Sequence, residues 1–261
     1  MKHTFVICAY KESPYLEDCI ESLKKQTVSS EIIMMTSTLN VHIEQVARKY
    51  NIPLYVREGA SDIVLDWNYG YNKVLTPYLT IAHQDDIYLP DYTKHVLDEF
   101  KHSKKPLIFF SDYGELRGDE IVTKNRLLTV KRIMLIPLRW RVFFGNRFIR
   151  RRILSFGSPI CCPSVAYARE NLPQEVFKQG FRSNEDWEAW EKLSRLQGDF
   201  IYDKEILMYH RIHEESETSA IIQDNKRSDE DMEMYSKFWP KPIAKLLVKL
   251  YADGQKSNDL K

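Results

Sequence analysis

Residues 78–92 read YLTIAHQDDIYLPDY, and they place an apolar strand directly before two adjacent carboxylates. The run from Tyr78 to Ala82 has the composition of a buried strand, and Asp85 and Asp86 follow it. Adjacent acids repel each other and resist desolvation, so a chain that places them after a buried strand usually supplies a cation. Their oxygen ligands favour Mg²⁺ or Mn²⁺ over zinc. The stretch therefore predicts a metal-phosphate site, and the alternative is a solvated turn that caps the next helix.

Strands and helices alternate before this stretch, and the pattern is that of successive βα units. Such units build a parallel sheet, in which ligands bind beyond the carboxyl ends of the strands. We therefore predict an α/β fold with a mostly parallel central sheet flanked by helices, and Asp85 and Asp86 lie at such a strand end. The predicted strands are 4–9, 31–35, 53–56, 78–82, 107–111 and 200–208; the predicted helices include 14–26, 41–50 and 61–74; and 112–122 is predicted as a polar hairpin.

The composition is that of an ordinary soluble chain of 261 residues, which suffices for one α/β domain and a C-terminal subdomain. Lys and Arg number 38 against 37 Asp and Glu, so the global charge gives no support to a nucleic-acid partner. The four cysteines lack CxxC spacing, which predicts a reduced cytosolic chain without a zinc site. Because there is no signal-type stretch and no apolar run near the ~20 residues that span a bilayer, we expect a cytoplasmic protein.

The segment 131–155 is basic and apolar together, since it interleaves seven arginines with large apolar and aromatic residues. It can lie on an anionic membrane surface or meet a lipid-linked acceptor. It can equally be helical, with one face on the core and an arginine-rich face in solvent. The tail from Phe238 to Tyr251 repeats the pattern with lysines, and a docked terminal helix explains it as well.

Four motifs occur in an order that resembles the inverting family 2 glycosyltransferases, which have a GT-A fold. They are Val6 to Glu12, the helix end at Lys25 to Thr27, Asp85-Asp86, and Asn184 to Trp187. The resemblance covers about residues 4–219. It implies a Rossmann-like GT-A domain over 1–219, with a nucleotide-binding half over about 1–112, an acceptor half over about 113–219, and a C-terminal helical extension over 220–261.

The resemblance also implies a reaction and its partners. The reaction is metal-dependent transfer of a sugar, with inversion, from a nucleotide-sugar donor to a hydroxyl, in bacterial surface polysaccharide synthesis. UDP or dTDP donors are expected ahead of GDP, the acceptor is a glycan or lipid-linked glycan, and a membrane surface is a candidate partner. The expected location is cytoplasmic, with a peripheral position on the inner face of the cell membrane as a candidate.

On the nucleotide side, the resemblance assigns a loop after the first strand that cups the nucleotide. Relatives often carry an acid after the second strand that binds the nucleotide base. This chain has hydroxyl residues there, so the resemblance does not identify the base. His83 stands where many members carry the first acid of the metal motif, and an ordinary satisfied histidine is the favoured interpretation. The implied nucleotide-sugar contacts are Ala9, Tyr10, Glu12, Ser37, Asn68, Asp85, Asp86 and Arg211, and the implied ligands of Mn²⁺ or Mg²⁺ are Asp85, Asp86 and His213.

On the acceptor side, Asp186 falls at the position of the family's catalytic base. An inverting displacement needs one carboxylate opposite the leaving group to accept the proton of the acceptor hydroxyl. Ser158, Glu185 and Trp187 are the implied acceptor-side residues, and an acid at a helix start is also a favourable partner of the helix dipole.

Two other functions remain open at this level. A nucleotidyltransferase shares a similar sheet but opens with a glycine-rich phosphate loop, whereas this chain has Ala9 to Glu12 at that point. A non-catalytic nucleotide-sugar-binding protein would tolerate loss of the metal acids or of the base, and both are present here.

Overall fold

The computed structural model describes residues 2–213 and 226–256. Its strands are β1 (His3–Cys8), β2 (Glu31–Thr36), β3 (Leu54–Val56), β4 (Tyr78–His83), β5 (Ile87–Tyr88), β6 (Pro106–Arg117), β7 (Glu120–Val122), β8 (Val165–Ala168) and β9 (Asp199–Ile212). They form one sheet in the order β3-β2-β1-β4-β8-β6-β9-β5, and β7 pairs with β6.

The helices lie between these strands and after the last one. They are α1 (Leu16–Lys24), α2 (Val41–Tyr50), α3 (Ile63–Lys73), α4 (Tyr92–His102), α5 (Arg126–Met134), α6 (Arg147–Leu154), α7 (Glu185–Ser194), α8 (Lys226–Ser236) and α9 (Lys241–Lys256). Short 3₁₀ turns lie over 136–139, 141–143, 162–164 and 169–171.

The first half of the sheet is parallel, as the alternation of strands and helices predicts. β1 lies between β2 and β4, and all three run in the same direction. Asp62 caps α3 by accepting a hydrogen bond from the backbone N–H of Leu65. Gly70 lets α3 approach β1 closely, because a Cβ atom there would lie 2.6 Å from Cγ1 of Val6. The parallel strands therefore end at one edge of the sheet.

The second half of the sheet is mixed, so the sheet as a whole is less parallel than the sequence pattern predicts. β8 is antiparallel to both β4 and β6, because it follows the long segment after β7 and not a βα unit. β6 and β9 are parallel, and β5 pairs antiparallel with β9. The predicted strand 107–111 and the start of the predicted hairpin form one long strand, β6, which turns at Gly118 into β7.

The C-terminal helices pack on the rest of the protein. Glu230 of α8 accepts hydrogen bonds from the backbone N–H groups of Arg182 and Ser183, and the ring of Tyr235 lies 5.0 Å from that of Trp187. The predicted domain boundary at residues 219 and 220 lies outside the described residues. Among the helices that are described, none has the length and apolar character needed to cross a membrane.

Candidate active site

Strand pairing brings the Asp85-Asp86 pair against the end of β9. The pair immediately precedes β5, and Ile87 and Tyr88 of β5 pair with Tyr209 and Met208 of β9. The residues after Tyr209 therefore run beside the two acids. His210 and His213 thus lie at the carboxyl end of β4, where the sequence pattern predicts a ligand site.

Asp86 is fully buried and held from two sides. Its Oδ1 accepts hydrogen bonds from Nδ1 of His210 and from the backbone N–H of Arg211, both at 2.9 Å. Burial lowers the pKa of His210. The charges of Asp86 and Asp85 and the hydrogen bond to Asp86 outweigh this effect, so the pKa of His210 is raised overall. The second oxygen of Asp86, Oδ2, is buried and has no hydrogen-bond partner within the described part of the chain.

Asp85 contacts the other late histidine. Nε2 of His213 donates to Oδ2 of Asp85 at 2.9 Å, and Nε of Arg211 donates to the Asp85 carbonyl at 2.8 Å. Burial raises the pKa of Asp85, but the charges of His83 and His210 and the His213 hydrogen bond lower it, and the net shift is downward. The Asp85 carboxyl group is therefore held in its charged form.

His83 completes a group that can hold a metal ion. One ligand atom from each of His83, Asp85 and Asp86 lies within 4.8 Å of the others. Nε2 of His83 is buried without a hydrogen-bond partner among residues 2–213 and 226–256, so the expectation of an ordinary satisfied histidine is wrong for this atom. Burial lowers the pKa of His83 despite the opposing charges of Asp86 and Asp85, which favours the neutral, ligating imidazole.

Arg211 is packed in place by α1 and the residue before it. Its guanidinium lies 4.2 Å from the centre of the Tyr15 ring, and Nη2 lies 3.4 Å from Oδ2 of Asp18. The Tyr15 ring also lies 5.1 Å from the His213 ring. A nearly buried guanidinium thus lies beside the acidic pair, where a forked donor suits a phosphate group.

The loop after β1 is tied to the residue before the acids. Oε1 of Gln84 accepts from the backbone N–H of Tyr10 at 2.9 Å, and Nε2 donates to the Tyr10 carbonyl at 3.0 Å. Lys11 adopts a left-handed backbone conformation with φ of 52°, and the exposed Tyr10 ring lies under its ammonium group. Of the three predicted loop contacts, Ala9 is buried, whereas Tyr10 and Glu12 are exposed at this edge. We call this pair of hydrogen bonds the Gln84 clamp. It was not predicted, because no sequence pattern indicates it.

The loop after β2 carries hydroxyls in place of an acid, and a buried carboxylate lies behind them. Oγ of Ser37 donates to Oδ2 of Asp66 at 2.6 Å, and Nε of Arg57 donates to Oδ1 of Asp66 at 2.6 Å. Because the Ser37 proton is committed to Asp66, its oxygen is left to accept a hydrogen bond. Sequence reasoning missed this role of Asp66, which comes from α3.

Asn68 lies on α3 with its side chain engaged in the protein. Its Oδ1 accepts from the backbone N–H groups of Val176 and Phe177, and its Nδ2 donates to the Phe177 carbonyl at 2.8 Å. These contacts give Asn68 a role in holding the segment before α7 and leave the predicted donor contact without support. Trp67 is buried and stacks on His83, with ring centroids 5.4 Å apart.

The loop that follows Ser158, a predicted acceptor-side residue, lies beside the carboxyl end of β4. Thr80 pairs with Ala166, so the residues before β8 run past the last residues of β4. The Tyr88 hydroxyl donates to the Pro163 carbonyl at 2.6 Å and fixes this loop. Oγ of Ser158 is buried, and the described residues provide it with no hydrogen-bond partner.

Asp186 lies in the first turn of α7, half-buried, and its Oδ1 accepts from the backbone N–H of Trp187. Trp187 and Glu185 are buried. Burial raises the pKa of Cys162 well above its usual value, and the charges of Asp186, Glu185 and Asp86 raise it further. The Cys162 thiol therefore lies within electrostatic range of both Asp186 and the metal-side acid.

Comparison with known proteins agrees with this architecture. The chain is 22% identical over 258 residues to an uncharacterized glycosyltransferase of Rickettsia typhi, covering 93% of this chain and 72% of the relative. It is 24% identical over 240 residues to one of Rickettsia conorii, covering 85% of this chain and 36% of that longer relative. The chain thus spans about a third of the latter protein.

Two solved structures share the fold. Residues 1–349 of S. aureus TarS, in complex with UDP-GlcNAc, superpose with a TM-score of 0.64 at 13% identity, covering 95% of this chain and 70% of that one. The mannosyltransferase PcManGT from Pyrobaculum calidifontis, in complex with GDP-Man and Mn²⁺, superposes with a TM-score of 0.61 at 12% identity. The match covers 96% of this chain and 69% of that one. The predicted GT-A fold is confirmed.

A family model places the chain among known enzymes. The model described as glycosyl transferase family 2 matches residues 4–177, which is more than half of the chain. The match includes the loop after β1, the Asp85-Asp86 pair and β8. The protein is therefore a glycosyltransferase and belongs to glycosyl transferase family 2.

Proposed function

We propose that the protein transfers a sugar, with inversion, from a nucleotide-sugar to a hydroxyl acceptor, and that Mg²⁺ or Mn²⁺ supports the reaction. The observation that carries the proposal is the buried Oδ2 of Asp86, which has no hydrogen-bond partner among the described residues and lies 4.0 Å from Nδ1 of His83. A buried carboxylate oxygen without a partner is costly, and a divalent cation would compensate for it.

The donor set fits such an ion. Asp85 and Asp86 offer carboxylate oxygens and His83 offers an imidazole nitrogen, a mixture that Mn²⁺ accepts. His213 contacts Asp85, and we retain it as a proposed further ligand. When bound, the ion would neutralise charge on the donor diphosphate. The structural neighbour PcManGT was solved in complex with GDP-Man and Mn²⁺, which supports the same class of cofactor here.

The other nucleotide contacts come from the protein itself. Arg211 would donate to the diphosphate, since its guanidinium is already oriented by Tyr15 and Asp18. The Tyr10 ring offers an exposed aromatic face at the loop that Gln84 clamps. Glu12 follows it on the same exposed loop.

Ser37 is the proposed hydrogen-bond partner of the nucleotide base. Because its oxygen is left as an acceptor, it suits the ring N–H of uracil, thymine or guanine. We retain UDP or dTDP ahead of GDP as the proposed donor.

Asp186 is the proposed catalytic base. It would accept the proton of the acceptor hydroxyl while that oxygen forms the new bond to the anomeric carbon and the nucleotide leaves from the opposite face. Ser158, Glu185 and Trp187 would line the acceptor side. We propose a glycan or lipid-linked glycan as acceptor, in bacterial surface polysaccharide synthesis.

A donor screen tests the proposal. The melting temperature of the protein is measured with UDP-, dTDP- and GDP-sugars, each with and without Mn²⁺ or Mg²⁺, because a ligand that binds the folded state stabilises it. We expect one nucleotide class to raise the melting temperature only in the presence of the metal. Stabilisation that is equal with metal and with chelator would contradict the metal requirement.

A further inference from the structure

Positive charge is concentrated in one segment of the chain. Residues 121–169 contain eleven Lys and Arg residues and no Asp or Glu. The net charge of the whole chain is only +1, so the remainder is net negative. The segment runs from β7 to β8 and contains α5, α6 and the three 3₁₀ turns over 136–139, 141–143 and 162–164.

The same segment exposes large apolar side chains. Val142 is 79% exposed and Phe148 is 70% exposed. Scattered single apolar residues are normal on a surface, but a group of them in a short segment marks an interaction site. The exposed members are Ile121, Val130, Ile133, Ile136, Trp140, Val142, Phe148 and Phe156.

Some of the cations anchor the segment to the body of the protein. The Arg150 guanidinium is buried, donates to the carbonyls of Ser194 and Gly198, and lies 4.7 Å from the centre of the Phe200 ring. The backbone N–H of Phe200 donates to the Phe144 carbonyl at 3.0 Å. The 3₁₀ turns and α6 are therefore both fixed at the start of β9, and the exposed side chains lie on an ordered support.

Other cations lie exposed among the apolar residues. Lys124, Arg139 and Arg152 are exposed. The Arg152 guanidinium lies 4.6 Å from the centre of the Trp239 ring and 5.6 Å from that of Phe148. Positive charge and aromatic side chains are thus adjacent on one surface.

Helix α9 extends this surface. Nε1 of Trp239 donates to the Ser155 carbonyl at 2.7 Å, which joins the chain before α9 to the end of α6. Within α9, Ala244 is buried, whereas the apolar residues Ile243, Leu246 and Leu250 are exposed beside the exposed Lys241, Lys245 and Lys249. We call these residues of α9, together with the exposed residues of 121–169, the basic apolar surface.

We propose that the basic apolar surface docks the enzyme on an anionic membrane. Cations attract the phosphate-rich lipid surface, and aromatic and aliphatic side chains insert at the boundary of the acyl chains. A soluble polyanion would require the cations only, so the exposed Trp140, Phe148 and Leu246 favour lipid. This inference goes beyond the transfer reaction, and its test contains no donor.

Vesicle cosedimentation of the full chain tests the proposal. The probes are phosphatidylcholine vesicles with and without phosphatidylglycerol. One variant combines Val142→Ser and Phe148→Ser, and a second combines Arg139→Gln and Lys245→Gln. The matched control combines Leu75→Ser and Lys104→Gln, because Leu75 is 93% exposed and Lys104 is exposed, and both lie outside this surface. Circular dichroism verifies folding.

We expect binding only to the vesicles that contain phosphatidylglycerol. The apolar variant should bind about tenfold more weakly, and the charge variant should lose roughly fivefold for each cation removed. The control should bind like the parent. Lack of binding, equal binding to both vesicle types, or full binding by the apolar variant would overturn the proposal, and the last result would indicate a polyanion site.

Discussion

Nδ1 of His210 lies 2.9 Å from Oδ1 of Asp86, although 124 residues separate them in the chain. The antiparallel pairing of β5 with β9 produces this contact, since Asp86 directly precedes β5. The result is a buried cluster in which Asp86 is held by His210 and by the backbone of Arg211, while its second oxygen is left for a cation. The proposed donor site depends on this cluster.

The Gln84 clamp should control donor affinity. Gln84→Ala removes both hydrogen bonds to the backbone of Tyr10, and the loop after β1 would then have to be ordered by the donor. Two hydrogen bonds of this kind contribute about 1 kcal/mol each, so we expect donor affinity to fall about tenfold or more. Calorimetric titration measures it. Gln45→Ala, on the exposed side of α2, is the control, and an equal affinity in both variants would exclude a role for the clamp.

Asp186→Asn should separate catalysis from binding. The amide cannot accept the acceptor proton, so the rate of transfer should fall by about 10²–10⁴-fold. Donor affinity should remain close to that of the parent, because Asp186 lies in α7 and not among the nucleotide-side residues. A transfer assay and a donor titration are performed on the same preparation, with the exposed Asp229→Asn as control. Transfer at the parental rate would eliminate Asp186 as the base.

Substitutions of Ser37 and of Asp66 should differ in their effects on stability and on donor affinity. Asp66→Asn leaves Arg57 as a nearly buried charge without its carboxylate, which should lower the free energy of unfolding by on the order of 3 kcal/mol. Ser37→Ala should cost at most about 1.5 kcal/mol of stability. Ser37→Ala should nevertheless weaken donor binding, because the nucleotide base loses the Ser37 oxygen as a hydrogen-bond acceptor. Urea unfolding and donor titration distinguish the two effects, and unchanged donor affinity in Ser37→Ala would remove Ser37 from the base site.

His3 should make stability depend on pH. Its ring donates to or accepts from Ser30 and Thr80, and burial lowers its pKa from 6.5 to about 3. Below pH 6.5 the unfolded chain binds a proton that the folded protein does not, so the free energy of unfolding falls as the pH falls from 6.5 toward 3.

The contribution of His3 to the slope of the free energy of unfolding against pH approaches about 1.4 kcal/mol per pH unit. Denaturant unfolding at several pH values measures it, and His3→Gln should flatten the profile in this range. The control is the exposed His102→Gln, which should keep the parental slope. An identical slope in His3→Gln and the parent would contradict the assignment.

Local patterns were sufficient to predict the parallel half of the fold. The helix α2 was predicted at its observed bounds, and β4 was placed within one residue, because their apolar periodicity and capping residues act within a few positions. The Asp85-Asp86 pair was likewise visible as a pattern, and the family resemblance pointed to His213. Their convergence depends on strand pairing across the sheet.

The features that sequence reasoning missed all rest on distant contacts. Gln84 clamps Tyr10 across 74 residues, and Asp66 lies behind Ser37 because α3 packs on β2. The amide of Asn68 is engaged by a segment more than a hundred residues away, which the family pattern alone does not reveal. The position of β8 between β4 and β6 follows from tertiary packing, since the preceding segment has no βα pattern.

The most direct test of the metal-supported donor site is a calorimetric titration of the donor that the screen identifies, with Mn²⁺ and with chelator, in the parent and in Asp86→Asn. The exposed Asp119→Asn provides the matched control. We predict that Mn²⁺ raises donor affinity by about tenfold or more in the parent and the control, and that Asp86→Asn abolishes this gain, since one buried ligand oxygen and its charge are lost. The same gain in Asp86→Asn as in the parent would contradict the assignment.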